Sequence, residues 1–382
     1  LAYRKGIEVL FISYSNYRIQ EKIQSLSFYI KQEVISLARK NQVTLSDVAK
    51  KAGVSPSTVS RVISDSSRIS KATKERVQKC MDELGYYPNA IARSLAKNKT
   101  GNIGVIMPSR DEDIFLNPFF PETLRGIVKG AAIFGYDILL STNTEVGDEL
   151  QSIKNFVRAS KVDGLVLMSS RINDDNISYL LSIDFPFSLI GTPYIEDSRI
   201  NYVDNDNFMA AYELTKYMIS KGRSKIAMIA ADPSLLVTKK RIEGYKRAIK
   251  DCNLTCDEDY IFIGSFDEET GFKFGRELIS LVPRPDAVII TDDLVAFGAI
   301  QVLEGLKFKI PEDIAIASFN NSIISRYSQI PFTSVDVNAH DLGLESINIL
   351  VEALEKGMQN RRIIIPYEIH KRQSTEGMFS TE

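Results

Sequence analysis

From residue 101 onward the chain repeats one pattern, a short apolar run followed by a longer amphipathic stretch. The apolar runs are IGVIMP at 103–108, YDILLS at 136–141, DGLVLMS at 163–169, FSLIG at 187–191, KIAMIA at 225–230, DAVIIT at 286–291 and DIAIAS at 313–318. Helical periodicity falls between them, at 120–135, 149–160, 207–221, 239–251, 268–282, 293–305 and 341–356. Strand–helix alternation of this kind predicts parallel sheets with helices on both faces, an α/β doubly wound architecture. The strands are too numerous for one compact sheet, so two subdomains are expected. Their boundary is placed near 200–205, with the chain crossing back near 335–338 and again near 366.

Residues 44–84 follow a different rule, with short helices and no strand-like run. Thr44 with Asp47 fits an N-terminal cap for a helix that ends at Gly53, and Ser70 fits the cap of another that reaches Leu84 before Gly85. Between them lies VSPSTVSRVIS at 54–64, whose serine and proline content suits a loop. Its apolar positions argue otherwise. Ser55 suits an N-cap and Pro56 the first helical position, while Val59, Val62 and Ile63 form an i, i+3, i+4 stripe. The opposite side presents Ser57, Ser60, Arg61 and Ser64. Short hydroxyls allow close approach to another surface and donate to phosphate oxygens, and an arginine among them can bond guanine O6 and N7 bidentately. Two helices joined by a tight turn at Gly53 make a helix-turn-helix. A helical bundle using this face for protein contact is the alternative.

Charge supports the first reading. The formal net charge is only −2, yet residues 41–100 hold eleven basic residues against five acidic, and residues 1–40 hold seven against three. A basic head on an acidic body suits a polyanion partner for the head alone. No uncharged apolar run approaches a membrane span, and no cleavable leader is evident, so a cytoplasmic protein without a membrane partner is expected. Cys80, Cys252 and Cys256 are too few for a disulfide framework. The two histidines, His340 and His370, lie far from the cysteines, so no metal site and no cofactor is expected.

VTLSDVAKKAGVSPSTVSRVIS, followed by ISKATKERVQKCMDELGYYPNAIARSLA, closely resembles the LacI family of bacterial transcriptional regulators. The likeness runs from 43 to about 375. It implies a headpiece at 43–86, with its helix-turn-helix at 45–64, and a hinge helix and linker at 87–100. A core at 101–375, like periplasmic sugar-binding proteins, follows before a tail at 376–382. The core subdomains are expected at about 101–203 with 338–365, and about 204–337 with 366–375. Residues 1–42 fall outside the likeness. Ile19, Ile23, Leu26, Ile30, Val34 and Leu37 recur at helical spacing there; the segment is read as an upstream translated or wrongly started stretch, with an extra helix packing on the headpiece as the alternative.

Carried over residue by residue, the likeness makes 55–64 the recognition helix. Pro56 and Ser57 take the positions that set operator choice, Arg61 reads a base, and Ser55, Thr58, Ser60 and Ser64 face phosphates, with Arg68 joining the DNA-facing set. In the hinge, Asn89, Arg93 and Leu95 are implied DNA contacts, Leu95 as a wedge in the minor groove. In the core, Phe119, Arg241, Phe266, Asp292 and Asn320 are implied effector contacts. Asn320 stands where aspartate is common in the family, and Val337 where many members place glutamine. RDEDIFLNPFFPETLRGI, FSLIGTP and YVDNDN look most like the maltose-operon repressors within the family.

The expected partners are palindromic double-stranded operator DNA, a maltose-type sugar effector and a second copy of the chain in a homodimer. The effector's sign, inducer or corepressor, stays open, as do other sugars or a purine. A sugar-acting enzyme and a sugar receptor are the competing classes. The enzyme lacks support, since no phosphate-binding loop, no nucleophile elbow and no metal-spaced histidines occur. No catalytic residue is assigned. Asp292–Asp293 is read as helix capping.

Overall fold

The computed structural model of the chain describes residues 43–86, 99–108, 114–141, 149–357 and 360–376. The chain divides into two compact units, Leu1–Asn98 and Lys99–Glu382. The hinge positions Asn89, Arg93 and Leu95 and the segment 1–42 lie outside the described residues.

In the first unit three helices, α1 (Leu45–Ala52), α2 (Pro56–Ile63) and α3 (Lys71–Leu84), enclose a small core. Val48, Ala49, Ala52, Val59, Val77 and Met81 are buried together, flanked by Val54, Val62 and Leu84. Each helix begins on a hydroxyl cap. Thr44 and Asp47 bond reciprocally, Ser55 Oγ accepts from the Thr58 amide at 3.2 Å, and Ser70 Oγ from the Thr73 amide at 3.3 Å. Gly53 closes α1 at φ +65°, a left-handed conformation that costs glycine nothing, and so sets the turn into α2.

The second unit holds two six-stranded sheets. In the first lobe, β1 (Asn102–Ile106), β2 (Asp137–Leu140), β3 (Gly164–Leu167), β4 (Phe187–Ile190), β5 (Asn201–Asp204) and β11 (Arg362–Ile364) lie in the order β11-β5-β4-β3-β1-β2, all parallel. Helices α4 (Phe119–Phe134), α5 (Glu149–Arg158), α6 (Asp175–Ser182) and α12 (Ala339–Lys356) belong to this lobe.

In the second lobe, β6 (Ile226–Ala230), β7 (Ile261–Ile263), β8 (Ala287–Ile290), β9 (Ala315–Phe319), β10 (Thr333–Asp336) and β12 (Glu368–His370) lie in the order β12-β10-β9-β8-β6-β7. Only β12 is antiparallel to its neighbour. Its helices are α7 (Asn207–Ser220), α8 (Leu236–Asp251), α9 (Glu268–Leu278), α10 (Asp293–Gly305), α11 (Ile323–Tyr327) and α13 (Gln373–Glu376). Buried apolar residues cover both faces of each sheet, which is why their strands read as unbroken apolar runs.

The structure differs from the sequence expectation in places. Strands β5, β7, β10, β11 and β12 and helices α6, α11 and α13 carry no strong pattern and are additions. Helix α8 starts at Leu236 rather than 239, because its N-cap Leu235 offers no side-chain cap to read. Helix α9 stops at Leu278 rather than 282.

The chain passes between the lobes three times, after β5, after β10 and after β11. All three crossings meet at Asn205, which is buried. Its Nδ2 donates to the Val337 carbonyl at 3.1 Å and to the Ile365 carbonyl at 2.9 Å. Beside them, α4 and α12 touch backbone to backbone at glycines. A Cβ on Gly126 would stand 1.9 Å from the His340 carbonyl oxygen, and one on Gly343 would stand 2.0 Å from that of Thr123. Asn205→Ala strips two buried carbonyls of their shared donor, at about 1–3 kcal/mol for each group left unpaired. The core's thermal unfolding midpoint should fall by several degrees, whereas an unchanged midpoint would mean that the crossings do not rely on this amide.

Candidate nucleic-acid interface and ligand cleft

On the headpiece, α2 turns Val59 into the core and leaves Ser55, Pro56, Ser57, Ser60 and Arg61 exposed. Arg68, beyond the helix, is exposed as well, while Thr58 and Ser64 are half-buried. The Arg61 side chain makes no hydrogen bond or ion pair among the described residues, so its planar fork is available for an outside partner. The hydroxyls are less uniform than the sequence suggests. Ser55 Oγ is engaged with Thr58 and, at 2.8 Å, with Ser57 Oγ, and Ser64 Oγ donates to the Arg61 carbonyl at 3.2 Å. Among the described residues, Ser60 is the hydroxyl of this face with no such internal engagement. A small polar face bearing one unpaired arginine fits the surface of a duplex groove.

In the core, a cleft lies where the two lobes meet. It encloses about 730 Å³, its open mouth included, a size usual for small-molecule sites. Phe119, Arg241, Phe266, Asp292 and Asn320, implied separately by the sequence, all line this one cavity. Pro108, Phe120, Met168, Ile190 and Leu342 give its first-lobe wall an apolar character, and Leu235 and Val237 face them from the second lobe. Val337 lines the cavity too, with a buried apolar side chain that offers no hydrogen bond.

The polar groups form a connected buried network. Arg241, on α8, donates from Nε to Asn207 Oδ1 at 2.9 Å and from Nη1 to the Thr291 carbonyl at 2.8 Å. Its guanidinium stacks 4.0 Å from the Phe319 ring centre. Burial pulls its pKa down to about 10, against the raising influence of Asp292, Asp204 and Asp293, and it remains a cation at neutral pH.

Asp292 caps α10 by accepting from the Leu294 amide at 2.8 Å through Oδ1. Its Oδ2 accepts from Asn117 Nδ2 and Asn320 Nδ2, each at 2.8 Å. Desolvation outweighs the hydrogen bond from Asn117 and, with Asp293 adjacent, pushes the carboxyl up to about 6.

Asp293 points the other way, into the lobe, where it accepts from Ser318 Oγ at 2.5 Å, Ser334 Oγ at 2.7 Å and the Ser322 amide at 2.6 Å. Capping therefore accounts for Asp292, and an internal serine cage for Asp293. Asp204 closes the network from the first lobe. It accepts from the Thr192 amide and hydroxyl at 2.8 and 2.7 Å and from Asn207 Nδ2 at 2.9 Å, and burial raises its pKa.

Sequence reasoning left out Asn117, Ser170, Asp204 and Asn207, all of which line the cavity. Asn117, Asp204 and Asn207 sit within segments quoted for their family likeness, but single amides and acids at loop ends carry no periodic signal of their own. Ser170 donates from Oγ to the Thr192 carbonyl at 2.7 Å. Its carbonyl accepts from the Leu236 amide at 3.1 Å across the cleft, and the Ile172 amide donates to the Ser234 carbonyl at 2.9 Å. Amides, carboxylates and a guanidinium around aromatic and aliphatic walls suit a small polyhydroxyl ligand with apolar ring faces.

Residues 44–89 match the model for bacterial regulatory proteins of the lacI family, and residues 215–375 match the periplasmic binding protein-like domain. The chain is 38% identical to the HTH-type transcriptional regulator MalR of Streptococcus pneumoniae, over 84% of this chain and 95% of that protein. Among solved structures, a complex of the transcriptional regulator CelR with cellobiose superposes with a TM-score of 0.68 at 28% identity, covering 87% of this chain and all of that one. A probable maltose operon transcriptional repressor, malR, from a staphylococcus superposes with a TM-score of 0.67 at 27% identity, covering 73% of this chain and 99% of that one.

The buried Asp292 carboxylate makes a specific demand on stability. Because its folded pKa lies above the ordinary 3.8, its ionisation weighs against the fold progressively as pH rises from about 4 to 6. Asp292→Asn removes that ionisation. Relative to the parent, its unfolding free energy should therefore improve by up to about 3 kcal/mol between pH 4 and pH 7. A difference that stays flat with pH in denaturant titrations would contradict the assignment.

Proposed function

The chain belongs to the LacI family of bacterial regulatory proteins and is a DNA-binding transcriptional regulator rather than an enzyme; from that premise we propose that it is a dimeric repressor of sugar-utilisation genes, controlled by a maltose-type sugar bound in the cleft. Two headpieces related by a two-fold axis would read the two halves of a palindromic operator. On each, Arg61 would read a base edge, Ser57 and Ser60 would lie against the duplex, and Pro56 would add a contact of shape alone.

The observation that carries the reading is the convergence of Phe119, Phe266, Arg241, Asp292 and Asn320 on one cavity between lobes. Aromatic faces suit the apolar faces of a pyranose, and Arg241 with the Asp292–Asn320 pair suits its vicinal hydroxyls. Support for a disaccharide comes from the cellobiose bound by the CelR relative, and for a maltose type from the likeness to MalR and the maltose operon repressor. A sugar bound to both lobes changes operator affinity by as much as it prefers one lobe arrangement over the other.

The test is an operator-binding titration on a duplex selected from random sequence, with maltose, maltotriose and cellobiose added in turn. A maltose-type sugar should shift operator affinity at least about tenfold, or ~1.4 kcal/mol of coupling; no shift with any sugar overturns the reading. Arg241→Ala should abolish the sugar response while leaving operator binding intact. Arg61→Ala should weaken the selected operator by about 1–3 kcal/mol and relax preference at one base pair per half-site. An Arg61→Ala protein that still discriminates fully at every position would remove α2 from the reading role.

A further inference from the structure

We propose that Asn117 is a positioning residue that clasps Asp292 across the cleft, holds the two lobes closed and makes that closure respond to protons. The two residues belong to opposite lobes. Asn117 precedes α4 of the first, Asp292 precedes α10 of the second, and both side chains are buried, 4% and 2% exposed. Asn117 Nδ2 donates to Asp292 Oδ2 at 2.8 Å. The orientation of the amide is fixed from its other end, because Asn117 Oδ1 accepts from the Phe119 amide at 3.1 Å.

Asp292 Oδ2 holds a second donor, Asn320 Nδ2, and two donors fill the two lone pairs of that oxygen. Asn320 belongs to the same lobe as Asp292. It is held at φ +102°, with its amide on the Val335 carbonyl at 2.7 Å, so it stays with Asp292 when the lobes part. Asn117 is therefore the donor that leaves on opening. Any ligand hydroxyl that takes this oxygen must displace an amide, and the amide that belongs to the far lobe is that of Asn117.

Closure also buries Asp292. Among the described residues, the charged groups facing it are Asp293, next along the chain, and the Arg241 guanidinium from α8, which Asp204 faces from the first lobe. Among the described residues, the segment before α4 and the turn after β9 contribute the neutral amides of Asn117 and Asn320. In the closed cleft the carboxyl is pushed up to about 6, and opening it to water returns it toward 3.8. The closed form thus binds the proton more tightly, and closure is promoted as pH falls through about 6.

Two backbone hydrogen bonds elsewhere in the cleft report closure independently of this side chain. They are the Leu236 amide on the Ser170 carbonyl and the Ile172 amide on the Ser234 carbonyl. Native-state hydrogen exchange at Ile172 and Leu236, measured on the full chain without added sugar and corrected for intrinsic rates, is the test. In the parent, protection should rise from pH 7.5 to pH 5 by up to about tenfold, the limit reached if opening returns the carboxyl from about 6 to the ordinary 3.8.

Asn117→Ala should lower protection roughly ten- to hundredfold at pH 7.5, the range for one hydrogen bond to a charged group. Asn117→Asp, nearly the same shape, sets a carboxylate against a carboxylate. It should open the cleft at pH 7.5 and recover protection toward pH 5, where the pair shares one proton. Circular dichroism would establish that both variants fold. Equal protection in the three proteins at every pH overturns the clasp, and an Asn117→Asp protein that stays open at pH 5 overturns the proton linkage.

Discussion

Three chain crossings join the lobes, and the buried amide of Asn205 touches all of them. Asn205 sits on the first crossing and donates to carbonyls on the second and third, and Asn338 Nδ2 adds a bond from the second crossing to the Pro366 carbonyl on the third at 2.8 Å. Each lobe is internally close-packed, with apolar residues on both faces of a six-stranded sheet. Relative motion therefore concentrates at the crossings, with each lobe moving as a unit. The glycine contact between α4 and α12 lies beside this junction and binds the second crossing tightly to the first lobe.

The cleft takes its chemistry from the cost of burying charge. Arg241, Asp204, Asp292 and Asp293 are all buried, and each is held by hydrogen bonds chosen to suit it. Asp293 is saturated inside its own lobe by serines and an amide. Asp292 draws a donor from the far lobe through Asn117, as Asp204 does through Asn207. An uncompensated carboxylate in such a place costs several kcal/mol, so the state of this one oxygen bears directly on how the lobes meet. A ligand that offers hydroxyls to the same oxygen enters a network already organised around it.

Much of the fold was legible because burial leaves a mark in sequence. The seven quoted apolar runs became β1, β2, β3, β4, β6, β8 and β9, six of which have sheet neighbours on both sides. The strands that went unread have other causes. NYVD in β5 and TSVD in β10 are polar at their ends, and β7, β11 and β12 are three-residue edge strands defined by their partners rather than by pattern. The headpiece caps were readable because Thr44, Ser55 and Ser70 act locally on the amides that follow them. In the cleft the aromatic and charged residues stood out by type. Asn117 and Asn207 did not, because what they do depends on residues 175 and 34 positions away.

The central claim is that a sugar in the cleft and a duplex on the headpiece act on one equilibrium. Such coupling is reciprocal, so the sugar's own affinity must depend on DNA. The direct measurement is a calorimetric titration of maltose into the full-length protein, alone and saturated with its selected operator. The account predicts that operator changes the sugar's dissociation constant by the same factor as the sugar changes that of the operator. An identical sugar affinity with and without operator would contradict it.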